Sequence, residues 1–218
     1  MSEGFTLYSY FRSSAAFRVR IALNLKGITP DYRFVHLLKD GGQQHAPAYA
    51  RVNPQELVPT LVHDGHVIGQ SLAIMEYLDE VKPEPALLPK DPAGRARVRQ
   101  LAYAVACDIH PVNNLRVLNY LRKPFGHNDD DVITWMTHWI DLGLGAIETM
   151  LSGSSETGRF CHGDTPTLAD ICLVPQMTNA RRGRTDVDQF PTLLRIEKAC
   201  YELPAFDNAQ AQKQPDAE

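Results

Sequence analysis

The feature that most constrains this chain is a cluster of prolines lying after its first third. Pro83, Pro85, Pro89 and Pro92 crowd into the short stretch from Lys82 to Pro92. Each ring fixes φ and removes a backbone donor, so neither a helix interior nor a central strand can run through the cluster. The patterns on its two sides differ in kind. Before it, strand signals alternate with helix signals; after it, every periodic stretch is helical. The chain therefore divides into a mixed domain over 1–82 and an all-helical domain over 91–212. Residues 83–90 read as the linker, and 213–218 as a polar, frayed tail.

Within 1–82 the order of signals sets the topology. The run 5–10 is apolar and aromatic and reads as a strand. Helix formers fill 15–26, with Phe17, Ile21 and Leu25 on one face, and Gly27 is placed as a closing glycine. A second strand is predicted over 32–37. Asp64-Gly65, flanked by 60–63 and 66–68, is a two-residue hairpin signal. Ser71 then opens a helix to about residue 80, with Leu72, Met75 and Leu78 on one face. The order is β-α-β, a loop region, then β-β-α. A crossover makes one strand pair parallel and the hairpin makes another antiparallel, which predicts a mixed sheet. This is the order of a thioredoxin-like domain, here without the C-x-x-C pair that thiol–disulfide exchange needs.

Beyond the prolines, Asp91 and Pro92 read as the N-cap and first-turn proline of a helix reaching about residue 110. A second helix is predicted over about 130–151. A third starts at Thr167, where Thr167 and Asp170 have the spacing of a capping box. Cys107 and Cys172 lie in apolar helical stretches and are expected in the core. Trp135 and Trp139, four apart, are expected to share a packing face. None of the four cysteines stands in a C-x-x-C pair and no histidine cluster has metal spacing. Free thiols in a reducing cytosol, and no metal, are the expectation. A net charge of −4 argues against a nucleic-acid partner. No apolar run is long enough to span a membrane, and the first residues lack the basic flank and apolar core of a signal peptide, so a cytoplasmic protein is expected.

Three stretches can carry chemistry. Tyr10-Phe11-Arg12-Ser13-Ser14 joins the first strand to the first helix. A hydroxyl there can hold an anion together with the free N–H groups and the helix dipole, and a thiolate so held has a lowered pKa. Plain N-capping by Ser13 or Ser14 explains the same residues. Leu57-Val58-Pro59-Thr60 leads into a strand. A cis Pro59 would turn the Val58 backbone toward a ligand, whereas a strand-edge proline is the ordinary alternative. Gln70-Ser71 is a further helix start, able to hold a carboxylate or simply to cap. Each signal is weak alone. Together they fall on one face of a thioredoxin-like sheet and suit a small anionic peptide. Arg18 and Arg20 read as structural, pairing with acids or covering the first helix.

The run from Tyr8 to Leu23 resembles the signature of zeta-class glutathione transferases, the family of maleylacetoacetate isomerases: two serines, a cysteine, two variable residues, then Arg-Val-Arg-Ile-Ala-Leu. Similar to that class as well are 39–44, 53–61, 70–78, 108–118 and 163–170, so the resemblance spans all but the tail. It implies an α+β glutathione S-transferase fold, glutathione as cofactor, a small dicarboxylate substrate and a homodimer. It implies that Ser14, beside Ser13, supports the glutathione sulfur and that Val58 pairs with the cysteinyl backbone beside a cis Pro59. Gln70 and Ser71 would hold the γ-glutamyl end, and Gln44 would reach toward the other end. His110, Asn114 and Arg116 would approach the site from the helical domain. Arg182 matches an arginine placed near the substrate carboxylates, and Arg12 is a second candidate for them because a guanidinium fork suits a carboxylate. The chain departs from the signature at Ala15, where many members have cysteine. That puts in doubt any activity needing that thiol, but not an isomerisation in which glutathione supplies the sulfur.

The activity so implied is cis-trans isomerisation of maleylacetoacetate. Isomerisation of maleylpyruvate, conjugation or dehalogenation of α-halo acids, and a non-enzymatic binding role are the alternatives.

Overall fold

β1 (Thr6–Ser9) is the hub of the first half of the molecule. In the computed structural model, which describes residues 4–218, a four-stranded sheet forms in the order β2-β1-β3-β4. β2 (Asp31–Phe34) runs parallel to β1, with Thr6 opposite Asp31 and Ser9 opposite Phe34. β3 (Thr60–His63) runs antiparallel on its other side, with Leu7 opposite Leu61. β4 (His66–Gly69) pairs antiparallel with β3. The mixed sheet expected from the element order is the one found. Asp64 and Gly65 both take positive φ, 48° and 78°, as the tight turn of a twisted hairpin requires.

α1 (Ser14–Leu25) makes the crossover between β1 and β2. It ends where the sequence placed Gly27: at φ 63°, Gly27 donates to Asn24 O, and the Ile28 N–H reaches back to Leu23 O at 2.9 Å. The stretch read as loop is partly wound. Lys39–Gly41 and Gln43–His45 form 3-10 turns, and α2 (Pro47–Ala50) follows. These turns are too short to show a period. α3 (Ser71–Val81) buries Ile74, Met75 and Leu78. The proline stretch is fastened to the same half. The buried Lys26 ammonium binds Asp79 at 2.6 Å and the carbonyls of Pro83 and Pro85 at 3.2 and 2.6 Å.

The end of the chain departs from expectation. Residues up to Leu87 and residues Leu203–Glu218 form one compact unit, and Leu88–Glu202 the other. So 203–212 do not belong with the helical domain, and 213–218 are not frayed. α10 (Pro204–Asp207) buries Phe206 completely, and Asn24 Nδ2 donates to Ala205 O at 2.9 Å. Farther on, Asp216 accepts the Phe11 N–H. Polarity suggested a loose end, but Asp216 and Glu218 bind Phe11 and Lys39 of the first unit.

The second unit is wholly helical. α4 (Pro92–Tyr103) is capped by Asp91, which accepts the Gly94 N–H at 2.7 Å. It continues through a π turn at Ala104–Ile109 into α5 (His110–Val112). α6 (Leu115–Arg122), α7 (Asp129–Ser152), α8 (Leu168–Arg182) and α9 (Pro191–Tyr201) complete the unit. α6 and α9 escaped the sequence reading, α6 because eight residues with only Leu118 buried leave little periodic signal. Cys172 is buried as expected, but Cys107 is exposed. Val98, Leu101, Val105 and Ile109 define the buried face, and Cys107 lies off it. Among the described residues no helix is long and apolar enough to cross a membrane.

The capping box opening α8 is formed. Asp170, fully buried, accepts from Cys161 N at 2.7 Å, Thr167 N at 2.8 Å and Thr167 Oγ1 at 3.0 Å. Burial pushes its carboxyl up from the usual range, and these donors pull it back. Asp170→Asn sets an NH2 group against N–H donors. It is expected to cost about 2–4 kcal/mol in urea unfolding through the buried groups left unpaired, with Thr167→Ala costing less.

Candidate functional site

The start of α1 settles which serine caps the helix. Ser13 is the N-cap, its Oγ accepting from Ala16 N at 3.2 Å. Ser14, the first helical residue, is buried and is not needed for that role. Ala15 follows in the first turn, where the zeta pattern has cysteine. The preceding loop is held from beneath by Arg20, one of the most buried side chains in the chain. Its guanidinium donates to Ser9 Oγ and Tyr10 O at 3.4 Å, Phe11 O at 3.1 Å and Ala209 O at 3.0 Å. Its hydrogen-bond partners are thus mainly carbonyls, rather than the acids that were one of the two expectations. Burial lowers the Arg20 pKa to about 10, with Tyr32 and Asp216 opposing the shift. The group therefore keeps its charge at neutral pH. Arg12 is exposed at the top of the same loop.

Arg18 lies four residues after Ser14, on the same face of α1. It is also buried, and its Nη1 donates to Ser71 Oγ at 3.3 Å. The second turn of α1 is thereby joined to the start of α3 through one cation. α3 itself begins unusually. Gln70 takes φ 63°, and no side chain among the described residues caps the helix. The Gln70 amide instead donates to Gln55 Oε1 at 3.0 Å. Simple capping, the ordinary explanation for Gln70-Ser71, is not what these residues do. An uncapped helix start backed by a buried guanidinium favours a negative group.

Val58 precedes a cis peptide bond to Pro59. It lies outside both ladders of β3, which begin at Thr60. It packs with Tyr10, Phe11, Val35 and Tyr49, next to the loop that leads into α1. A closed polar network shapes its approach. Asn53 Nδ2 donates to Leu57 O and to Thr60 Oγ1, both at 2.9 Å. The Tyr49 hydroxyl donates to Leu57 O at 2.5 Å and lies 2.9 Å from Thr60 Oγ1. Since Tyr49 has one proton and gives it to Leu57, Thr60 must donate to Tyr49.

Gln44 is buried, and its Oε1 has no protein partner among the described residues. Its orientation is set by a relay. Glu56 accepts from His45 Nδ1 at 2.5 Å, which leaves Nε2 as the acceptor for the Gln44 amide at 3.0 Å. Gly42, at φ 103°, lies against that amide: a Cβ there would sit 2.6 Å from Gln44 Nε2. The loop 53–58 is therefore central, tied to Gln70 through Gln55 and to Gln44 through Glu56.

The first unit thus joins α1 to Ser71 through Arg18 and packs Val58 with Phe11. The loop 53–58 carries Val58 and binds both Gln70 and the Gln44–His45 turn. The remaining candidates lie in the second unit. His110 opens α5, and Asn114 caps α6 by accepting the Arg116 N–H at 3.1 Å. Arg116 is exposed. Arg182 is the exposed last residue of α8. Its neighbour Arg181 forks onto Glu197 at 2.7 and 2.5 Å. The sequence reading missed Tyr49, Asn53 and Asp216, and read Arg18 as structural, pairing with acids or covering the first helix, without its contact to Ser71. Nothing in residue spacing marks partners brought together by the fold.

The shared acceptor at Leu57 can be tested directly. Asn53→Ala is expected to destabilise by about 1–3 kcal/mol and Tyr49→Phe by about 1 kcal/mol. The double variant should cost more than their sum, because Leu57 O then loses both donors. Strict additivity in urea unfolding would contradict the network.

The model of the glutathione S-transferase N-terminal domain matches residues 7–86. A probable maleylacetoacetate isomerase of Vibrio cholerae is 47% identical over 211 residues, covering 97% of each chain. A solved holo maleylpyruvate isomerase, described as a bacterial zeta-class glutathione S-transferase, superposes with a TM-score of 0.95 at 47% identity, covering 98% of this chain and 100% of that one. A maleylacetoacetate isomerase from Methylobacterium extorquens AM1, solved with bound malonate and glutathione, has a TM-score of 0.93 at 41% identity, covering 98% and 99%. With identity sustained over nearly its whole length, this chain belongs to the zeta-class glutathione S-transferase family, the family of the maleylacetoacetate isomerases.

Proposed function

We propose that this protein is a glutathione-dependent cis-trans isomerase that converts maleylacetoacetate to fumarylacetoacetate in tyrosine and phenylalanine breakdown, as a cytoplasmic homodimer. The observation that carries the reading is the uncapped start of α3, with Ser71 against the buried Arg18 of α1. That arrangement fits an anionic peptide with a carboxylate at one end. Two further features fit the rest of a tripeptide: the Val58 backbone outside the β3 ladders and the buried, unpartnered Gln44 Oε1.

When bound, glutathione supplies a thiolate whose reversible addition to the conjugated double bond lets that bond rotate. The protein's part is to hold and orient. The Ser14 hydroxyl and the first-turn N–H groups of α1 keep the sulfur ionised. Val58 offers its N–H and C=O as an added strand would find them. Gln70 and Ser71 take the γ-glutamyl carboxylate, and Gln44 takes an N–H near the other end. Arg12 and Arg182 are assigned to the substrate carboxylates, with His110, Asn114 and Arg116 as further contacts. Bound malonate in the Methylobacterium relative supports a dicarboxylate substrate. Ala15 removes a thiol that this chemistry does not use.

The decisive assay is turnover of maleylacetoacetate with and without glutathione; turnover that persists without any thiol refutes the scheme. Ser14→Ala should lower turnover roughly tenfold to a hundredfold, the worth of a hydrogen bond to a charged sulfur. Arg182→Ala should raise the substrate KM by about tenfold with a smaller effect on kcat, and an unaltered KM would remove Arg182 from the site. Maleylpyruvate is the second candidate substrate, favoured by the 47% identity to the maleylpyruvate isomerase, equal to that with the Vibrio relative. Comparing kcat/KM on both substrates separates the two.

A further inference from the structure

Residues 211–217 lie against the loop that leads into α1. The Phe11 N–H donates to Asp216 Oδ2 at 2.9 Å. The carbonyl of the same residue accepts from Arg20 Nη2 at 3.1 Å. Phe11 is thus gripped at both backbone groups, an anion on its donor and a cation on its acceptor. The two gripping groups also attract each other, since Asp216 acts on Arg20 through its charge. Around this grip the end of the chain is seated. Ala211 and Ala217 pack on the cluster that holds Tyr10, Phe11 and Val58. Glu218 pairs closely with Lys39 and lies 3.7 Å from His36 Nε2. His36 Nδ1 in turn accepts the N–H groups of Leu38 and Lys39 at 3.1 and 2.9 Å. One short segment therefore braces both the turn before Ser13 and the stretch leading to Gln44.

We infer that Asp216 is a positioning residue for the sulfur-holding end of the site: by fixing the Phe11 peptide it sets the placement of Arg12, Ser13 and Ser14. The inference rests on glutathione being the bound cofactor. Its energetic logic is that of a preset loop. With the carboxylate present, the turn 10–13 is already in the arrangement that Ser14 needs. Without it, the Phe11 N–H has no acceptor and the turn samples other arrangements. Glutathione binding then selects the competent one, and apparent affinity falls by the fraction of molecules that hold it. The cost falls on binding rather than on turnover at saturation, because saturating glutathione restores the arrangement. A residue that served stability alone would behave differently, lowering kcat with the active fraction and leaving KM in place.

The test compares wild type with Asp216→Ala, Asp216→Asn and Asp216→Glu. Three quantities are read: the glutathione KM, kcat at saturation, and backbone amide exchange in the unliganded protein. Asp216→Ala should raise the glutathione KM by about tenfold to a hundredfold, the worth of one hydrogen bond to a charged acceptor. kcat should stay within about twofold of wild type. Asp216→Asn, which keeps an oxygen acceptor, should lose less, and Asp216→Glu should recover most of the loss. Exchange should quicken at Phe11 and Ser13 but not at Leu7 or Leu61 in the sheet. An unchanged KM, a fall in kcat at fixed KM, or exchange rising evenly across the unit would each overturn the inference. Wild type that fails to bind glutathione would bring down the functional reading and the inference together. Wild type that binds it, with variants that bind it equally well, brings down the inference alone.

Discussion

The buried guanidinium of Arg20 is the interaction on which the first unit turns. Removing a charge from water is expensive, and the lowering of its pKa to about 10 by burial records that cost. What offsets it is a fan of acceptors from three places in the chain: Ser9 at the end of β1, Tyr10 and Phe11 in the following turn, and Ala209 beyond α10. Few side chains could do this. A guanidinium presents its donors as a rigid planar fork, whereas an ammonium concentrates them at one point and could not reach acceptors so spread out. The cation therefore fixes the turn before α1, and the same contact draws residues 203–218 onto the first unit.

A second buried cation, Arg18, ties α1 to the start of α3. α1 is capped by Ser13, so Ser14 is spared for other work at the first helical position. α3 has no side-chain cap and starts from a residue at positive φ, an arrangement a helix of ordinary purpose would avoid. Arg18, reaching from α1 to Ser71, adds its charge to the field of that open end. In the proposed function one start receives a sulfur anion and the other a carboxylate. Val58 carries peptide backbone outside the sheet's own pairing. Glu56 and His45, one loop away, hold the Gln44 amide in a single orientation. The site is built largely from backbone and short polar side chains whose positions are fixed by groups behind them.

What could be read in the sequence follows from this division. Elements with a local signal were legible: the Asp64-Gly65 hairpin, the glycine closing α1, the Thr167–Asp170 capping box and the proline break before α4. The mixed sheet followed from their order. The candidate residues Ser14, Val58, Gln70 and Ser71 were visible because they sit at element boundaries, where helix ends and strand starts leave backbone groups open. The residues behind them were not. Arg18 and Arg20 read as structural, yet no pattern could say that one would meet Ser71 and the other a set of carbonyls. Asp216 lies 205 residues from its partner Phe11 in a stretch whose composition reads as loose. Short-range patterning carries no information about such contacts, and polarity misleads where the polar groups are satisfied by the protein itself. Cys107 failed for a related reason, since apolar neighbours in sequence say nothing about which side of a helix is covered.

Ala15 bears on where the reacting sulfur comes from. The chain's own thiols are poorly placed to take that part. Burial pushes Cys161 and Cys200 well above the ordinary thiol range, with the carboxylate of Asp170 adding to the shift. Cys172 is wholly buried in α8, and Cys107 is exposed in the π turn of the helical unit. A thiolate is the reactive form, and a thiol gains that form next to positive charge or at a helix start, not in an apolar core. The helix start that follows the zeta signature is that of α1, and there this chain carries two hydroxyls and a methyl group. A hydroxyl can stabilise a thiolate but cannot become one. The chemistry proposed for this site therefore depends on a borrowed sulfur, and the protein's contribution is the rigid, positively biased turn that Arg20 and Asp216 hold in place to receive it.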